Sequence, residues 1–234
     1  MTGTAIIVVA RDPRLAKTRL RSALSAAQRA SLALAMFDDV IAAALKTRQA
    51  VLVVTDARSI ATRARRSGAR ATIAPARGTR AAAAHGLRIA ARDGARSALV
   101  VAADLPLATA ADLRRVIAAG RSAEVVIVPD GRGTGTNALF LRPPTRIAPR
   151  FGRGSLAAHR DAAGASAAVL RNARLGVDVD VPADLRALQE SKGRAGSNTR
   201  RALSRLASGA APSTRRGSPS PRAARSRSPR SRPR

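Results

Sequence analysis

Cysteine is absent from the 234-residue chain, which excludes a disulfide framework and any thiolate metal site. The absence accords with a reducing compartment. Tyrosine and tryptophan are also missing, and three phenylalanines are the whole aromatic complement. Stacking platforms of the kind that bind single-stranded nucleic acid are therefore nearly absent. No stretch approaches the ~20 apolar residues needed to cross a bilayer. No basic segment precedes the first apolar run, Ala5–Ala10, and that run is too short for a signal peptide. A cytoplasmic protein without membrane contact is expected. Acidic residues are scarce, 14 against 43 Lys and Arg, for a formal charge of +29. From Ser191 to Arg234 there are 13 basic residues and no acid. The first 190 residues still hold 30 basic against 14 acidic ones, a balance that favours anionic ligands such as nucleoside triphosphates.

With 45% apolar residues, the chain can bury one α/β core. Apolar runs alternate with helical patterns. Thr4–Ala10, Ala50–Thr55, Ala71–Ala74, Ser97–Ala103 and Glu124–Pro129 read as strands. Between them, Ser25 caps a helix to about Lys46, followed by helices over Ser59–Ser67, Arg80–Asp93 and Thr109–Ala119. Strands apolar on both faces and separated by single helices imply a mostly parallel sheet covered on both sides. Later come Ala138–Arg142, a helix near Leu156–Ala163, Ala167–Leu170, Gly176–Val181 and a short helix, Pro182–Gln189. A domain over residues 1–190 is expected. The Arg-, Ser- and Pro-rich remainder, residues 191–234, is expected to be a disordered tail, either dispensable or an arm for polyanions.

Ligands of such sheets sit at the carboxyl ends of the strands, so the loops there carry the candidates. Arg11, Arg14, Lys17 and Arg19 crowd the loop after the first strand, where they can clamp a triphosphate or form a solvated basic loop. Asp104 stands at the carboxyl end of Ser97–Ala103, a continuous apolar strand that is β-branched at its middle. It could hold Mg²⁺ or cap the next helix, but Thr109 lies closer to that helix. The segment Asp130–Asn137, DGRGTGTN, offers close backbone approach with Thr134 and Thr136 hydroxyls; it could equally be a hairpin turn. Gly152, Gly154 and Ser155 precede a helix, an arrangement suited to phosphate or carboxylate. Asp178 and Asp180 share one face if extended and could complete a metal site. His85 and His159 lack metal-like spacing to other ligands.

AKTRL, ADLPL, DGRGTGTNALFLRPP, RFGRGSLAAH and VDVDVPADL, in that order over about Ala5–Leu188, resemble the CofC/FbiD family of guanylyltransferases of coenzyme F-420 biosynthesis. The resemblance implies a Rossmann-like, glycosyltransferase-A-type nucleotidyltransferase fold. It also implies GMP transfer from GTP, with Mg²⁺, to 2-phospholactate, phosphoenolpyruvate or 3-phosphoglycerate, releasing pyrophosphate. By motif, Asp104 would hold Mg²⁺ with Asp178 or Asp180. Thr136, Gly152 and Ser155 would hold the acceptor; Lys17 and Arg19, with Arg11 nearby, would grip the GTP phosphates. The chain departs from the family at Gly78-Thr79-Arg80, where Gly-Leu-Asn is usual, and at Arg11, where Lys is. A related nucleotidyltransferase or glycosyltransferase-like enzyme with another donor or acceptor is the alternative, and a non-enzymatic polyanion-binding protein is a third reading.

Overall fold

The computed structural model describes residues 3–74 and 78–208. Its strands are β1 (Thr4–Ala10), β2 (Ala50–Thr55), β3 (Arg70–Ile73), β4 (Ser97–Ala102), β5 (Val125–Pro129), β6 (Thr136–Leu141) and β7 (Ala167–Val169). They form one sheet in the order β3-β2-β1-β4-β6-β5-β7. The apolar runs become the central strands because both faces of the sheet are covered: every residue from Ala5 to Ala10 and from Val125 to Pro129 is buried. All neighbours of β1 and β2 pair in parallel, as does β5 with β7. The expected parallel sheet therefore stands, with one exception. β6 runs against both β4 and β5, because the six residues after Pro129 make a hairpin and are too few for a crossover.

The helices are α1 (Ala26–Leu45), α2 (Arg58–Arg66), α3 (Thr79–Arg92), α4 (Ala110–Ala119), α5 (Ser155–Ala163), α6 (Pro182–Glu190) and α7 (Ser197–Ala207). Ser25 and Gln28 close a reciprocal cap on α1, and Thr109 and Asp112 do the same on α4, satisfying donors that no helical carbonyl reaches. One face of the sheet packs against α1, α2 and α4 through Phe37, Ile41, Ile60 and Leu113. The other packs against α3 and the α5 region through Ala83, Leu87 and Phe151. The alanine-rich α3 lies close to the sheet at Gly86, where a Cβ would meet Ile7 Cγ2 at 2.6 Å.

A third buried cluster lies off the sheet: Leu20, Leu32, Met36, Leu107, Val179, Leu185, Leu188, Ala202 and Leu203. Its last two members correct the expected domain boundary at residue 190. Residues 191–208 are ordered, with a 3-10 turn at Lys192–Arg194 followed by α7. Thr199, Ala202, Leu203 and Leu206 recur at helical spacing among arginines, and this stripe packs against α1. Gly196, which opens α7, has no side chain to cap it. Asp39 of α1 supplies the cap instead, accepting from the backbone N–H groups of Asn198 at 3.1 Å and Thr199 at 2.8 Å. Residues 209–234 of the expected tail lie outside the described residues.

Asp39→Ala removes the cap and is expected to cost about 1–2 kcal/mol. Leu203→Ala, at a side chain only 2% exposed, is expected to cost about 2–4 kcal/mol. Urea unfolding checks both; unchanged midpoints would show that α7 adds nothing to the fold.

Candidate functional site

The chain reverses its direction of winding between β1 and β4: β2 and β3 lie on one side of β1, and β4 to β7 on the other. This switch point is where an open α/β sheet leaves a crevice. A cavity of about 350 Å³ occupies it. Arg11 follows β1, Asp104 follows β4 and Asp130 follows β5. Because β6 is antiparallel, Thr136 and Asn137 at its start reach the same end. Of the residues singled out from the sequence, Arg11, Lys17, Asp104, Thr136, Gly152, Ser155, Asp178 and Asp180 all line this cavity.

Lys17 is the pivot of one wall. Its backbone is left-handed at φ 56°, and its side chain is only 5% exposed. The Nζ donates to Asp104 Oδ2 at 2.5 Å and to Asp180 Oδ1 at 3.0 Å. Burial alone pushes this ammonium down, but the Asp104 and Asp180 carboxylates outweigh it and the net direction is up. Asp178 behaves differently. Burial and then the Asp104 charge push its carboxyl up, opposed by a 3.4 Å hydrogen bond from Asn137 Nδ2. Residues 177–180 pair with no strand; they are held by Val179 in the third cluster and by α6. Asp184 of α6 accepts from the backbone N–H groups of Asp180 and Val181, both at 2.9 Å.

Two of the basic residues stand apart. Arg19 is not in the cavity wall; its guanidinium, 69% exposed, lies 3.8 Å from Asp180 Oδ2 at the rim. Arg14 is committed to Asp12, which accepts from its backbone N–H and its guanidinium, and its side chain is 80% exposed. The charge count of the loop therefore overstates what faces a ligand. Asp56, at the end of β2, accepts from the Asp12 N–H at 2.7 Å and anchors the loop.

The same cavity holds an anion seat. Gly152 and Gly154 take φ +133° and +70°, values that favour glycine, and turn the chain into α5. Ser155 is the first residue of α5, so the positive end of the helix faces the cavity beside Thr136. The hairpin Asp130–Gly135 is both turn and cavity wall: Asp130 accepts from Thr134 N–H at 2.9 Å, and the Leu156 N–H reaches Thr134 O at 3.1 Å. Asn137, Thr79 and Phe151, which the sequence places in motif segments without a site role of their own, also line the cavity. Asn137 is the last residue of DGRGTGTN, Thr79 belongs to the Gly78-Thr79-Arg80 departure from the family, and Phe151 lies within RFGRGS.

Among the described residues no three His, Asp or Glu side chains are gathered into a metal-ligand set. What the structure gathers is Asp104 and Asp180 around one ammonium. Two carboxylates fit Mg²⁺, which keeps several waters and takes substrate phosphate oxygens besides one or two protein ligands.

The profile of the family described as guanylyl transferase, CofC-like, matches residues 4–211. A phosphoenolpyruvate guanylyltransferase from Sphaerobacter thermophilus is 38% identical over 193 residues, 80% of this chain and 93% of that protein. A 3-phospho-D-glycerate guanylyltransferase from Colwellia psychrerythraea is 32% identical over 190 residues, 79% of this chain and 90% of that protein. A solved structure from Desulfovibrio desulfuricans G20, assigned to the nucleotide-diphospho-sugar transferases, superposes with a TM-score of 0.71 at 16% identity. It covers 89% of this chain and 96% of its own, a likeness of fold. The cavity therefore sits on a nucleotidyltransferase scaffold, and the chain belongs to the CofC-like guanylyl transferase family.

Proposed function

We propose that this enzyme transfers GMP from GTP to a three-carbon phosphorylated acid in coenzyme F-420 biosynthesis, with release of pyrophosphate. The observation that carries the reading is the presence of two seats in one cavity. A carboxylate pair bridged by Lys17 shares the cavity with an anion seat built from Thr136, Gly152 and Ser155. A reaction that joins a phosphate oxygen of one substrate to the α-phosphorus of another needs both. Relatives named for phosphoenolpyruvate, 3-phospho-D-glycerate and 2-phospho-L-lactate supply the acceptor class.

In this reading the acceptor lies against Gly152, Ser155 and Thr136. The helix end and the hydroxyls hold its carboxylate and phosphate and aim one phosphate oxygen at the α-phosphorus. Lys17 and Arg11, with Arg19 at the rim, balance the charge of the triphosphate. Asp104 with Asp180 would hold Mg²⁺, which, when bound, neutralises charge on the phosphates and on departing pyrophosphate. Asp178 lines the same cavity and accepts from Asn137 Nδ2. No covalent enzyme intermediate is needed, and catalysis consists of positioning and charge neutralisation.

Pyrophosphate release with GTP, Mg²⁺ and each acid in turn tests the proposal. Activity is expected with at least one acid and lost on chelation with EDTA. Silence with all three acids, from protein that is folded by circular dichroism, would overturn the reading. Asp104→Asn and Lys17→Ala are each expected to lower kcat by about 100-fold or more; near-normal turnover in either would remove that residue from the chemistry. Thr79 lines the cavity where the family usually carries Leu, so ATP, CTP and UTP belong in the panel. Preference for one of them would favour a related nucleotidyltransferase with another donor.

A further inference from the structure

His159 touches the anion seat from below. Ser155, His159 and Ala163 are the buried residues of α5 and recur every four positions, so Ser155 and His159 share one face of the helix. Ser155 reaches the cavity and His159 lies beneath it, with none of its surface exposed. Its ring meets Phe151 edge-on at 5.1 Å. Both ring nitrogens are engaged. Nε2 lies 2.8 Å from the backbone nitrogen of Arg150, and Nδ1 lies 3.0 Å from Thr136 Oγ1.

The proton inventory of these atoms fixes the direction of each bond. A backbone N–H can only donate, so Nε2 must present its lone pair to Arg150. A neutral imidazole then carries its hydrogen on Nδ1, and Nδ1–H donates to Thr136 Oγ1. The hydroxyl already receives a hydrogen at that oxygen, so its own proton turns elsewhere. Among the described residues no other side-chain or backbone acceptor is bonded to it. The free direction is the cavity that Thr136 lines beside Gly152 and Ser155.

We propose that His159 is a positioning residue that fixes the Thr136 hydroxyl as a one-way hydrogen-bond donor into the anion seat, so that the seat selects an oxyanion of the acceptor. The inference rests on the reading of this cavity as the acceptor site. A hydroxyl that can rotate serves an acceptor or a donor equally and gives no preference for charge. One locked as a donor rewards a carboxylate or phosphate oxygen and opposes a ligand that offers a hydrogen. The ring's surroundings keep the lock closed: burial first, then the Arg150 and Arg80 charges, lower the imidazole pKa to about 4. With the imidazole neutral above that pH, Nε2 keeps its lone pair through the ordinary working range. Phe151 brings no charge to the ring.

The wild-type chain supplies the first test. With only two histidines, long-range ¹H–¹⁵N spectra, assigned with a His85→Gln variant, report the tautomer of His159 without any turnover. The Nδ1–H form is expected at pH 7 and down to pH 5; the Nε2–H form or an imidazolium would overturn the proposal. The second test is a double-mutant cycle. His159→Met keeps a weak acceptor for the Arg150 N–H and carries no donor for Thr136, and Thr136→Val removes the hydroxyl while keeping the shape. Each is expected to raise the KM of the acid that turns over by about 10-fold, with the KM for GTP unchanged. The double variant is expected to be no worse than either single one. Additive losses, or losses shared equally by GTP, would show that His159 acts only by packing and would overturn the proposal. If wild type turns over none of the acids, the functional reading fails by itself. Calorimetry with inorganic phosphate then decides for His159: weaker binding in both variants supports the donor role, and equal binding overturns it.

Discussion

The ammonium of Lys17 between two carboxylates holds the site together. It joins three parts of the chain that are far apart in sequence: the loop after β1, the end of β4 and the segment before α6. None of the three could bury its charge alone, since an isolated ion out of water is strongly unfavourable. Together they form a partly buried pair-and-a-half whose negative excess is the natural complement of a divalent cation and whose lysine is the natural complement of phosphate. The same contact explains the left-handed backbone at Lys17, a strained conformation for a residue with a side chain.

That contact depends in turn on a core outside the sheet. Leu20 follows Lys17 and Val179 precedes Asp180, and both are fully buried in the third cluster. The two flanks of the ion pair are thus nailed into one apolar body, which α1, α6 and α7 enclose. The sheet supplies the switch-point crevice, and this smaller body sets what faces into it. Asp184 adds a second restraint by holding the backbone N–H of Asp180.

Much of this was legible. Strands apolar on both faces, single intervening helices, and caps at Ser25 and Thr109 gave the sheet and its helices to within a residue or two, because each signal is local. Loops at the carboxyl ends of strands gave most of the cavity wall, because the topology of a parallel sheet places ligands there. Three features did not follow. The reversal of β6 was open in the sequence, since DGRGTGTN reads as a hairpin turn or a ligand loop and the run NALFL does not choose between them. The destination of Arg14 and Arg19 depends on which carboxylate each meets, and charge counts do not resolve partners. α7 escaped because its four-residue stripe, Thr199, Ala202, Leu203 and Leu206, is diluted by arginine and serine, and because its cap comes from Asp39 rather than from its own sequence. His159 was set aside as a metal ligand, and its two hydrogen bonds show a ring used for its proton inventory instead.

The cap on α7 has a consequence in the order of synthesis. Asp39 leaves the ribosome 159 residues ahead of the Asn198 N–H that it accepts from, an interval of roughly 8–32 seconds at ordinary elongation rates. Throughout it, α1 can dock on the sheet, yet Leu32 and Met36 on its other side lack the helix that covers them. A nascent chain of this enzyme therefore carries a half-clothed helix until α7 has been made. The apolar side of α1 is closed only when Asp39 meets the start of α7, so the latest-made helix of the described residues completes one of the earliest-made.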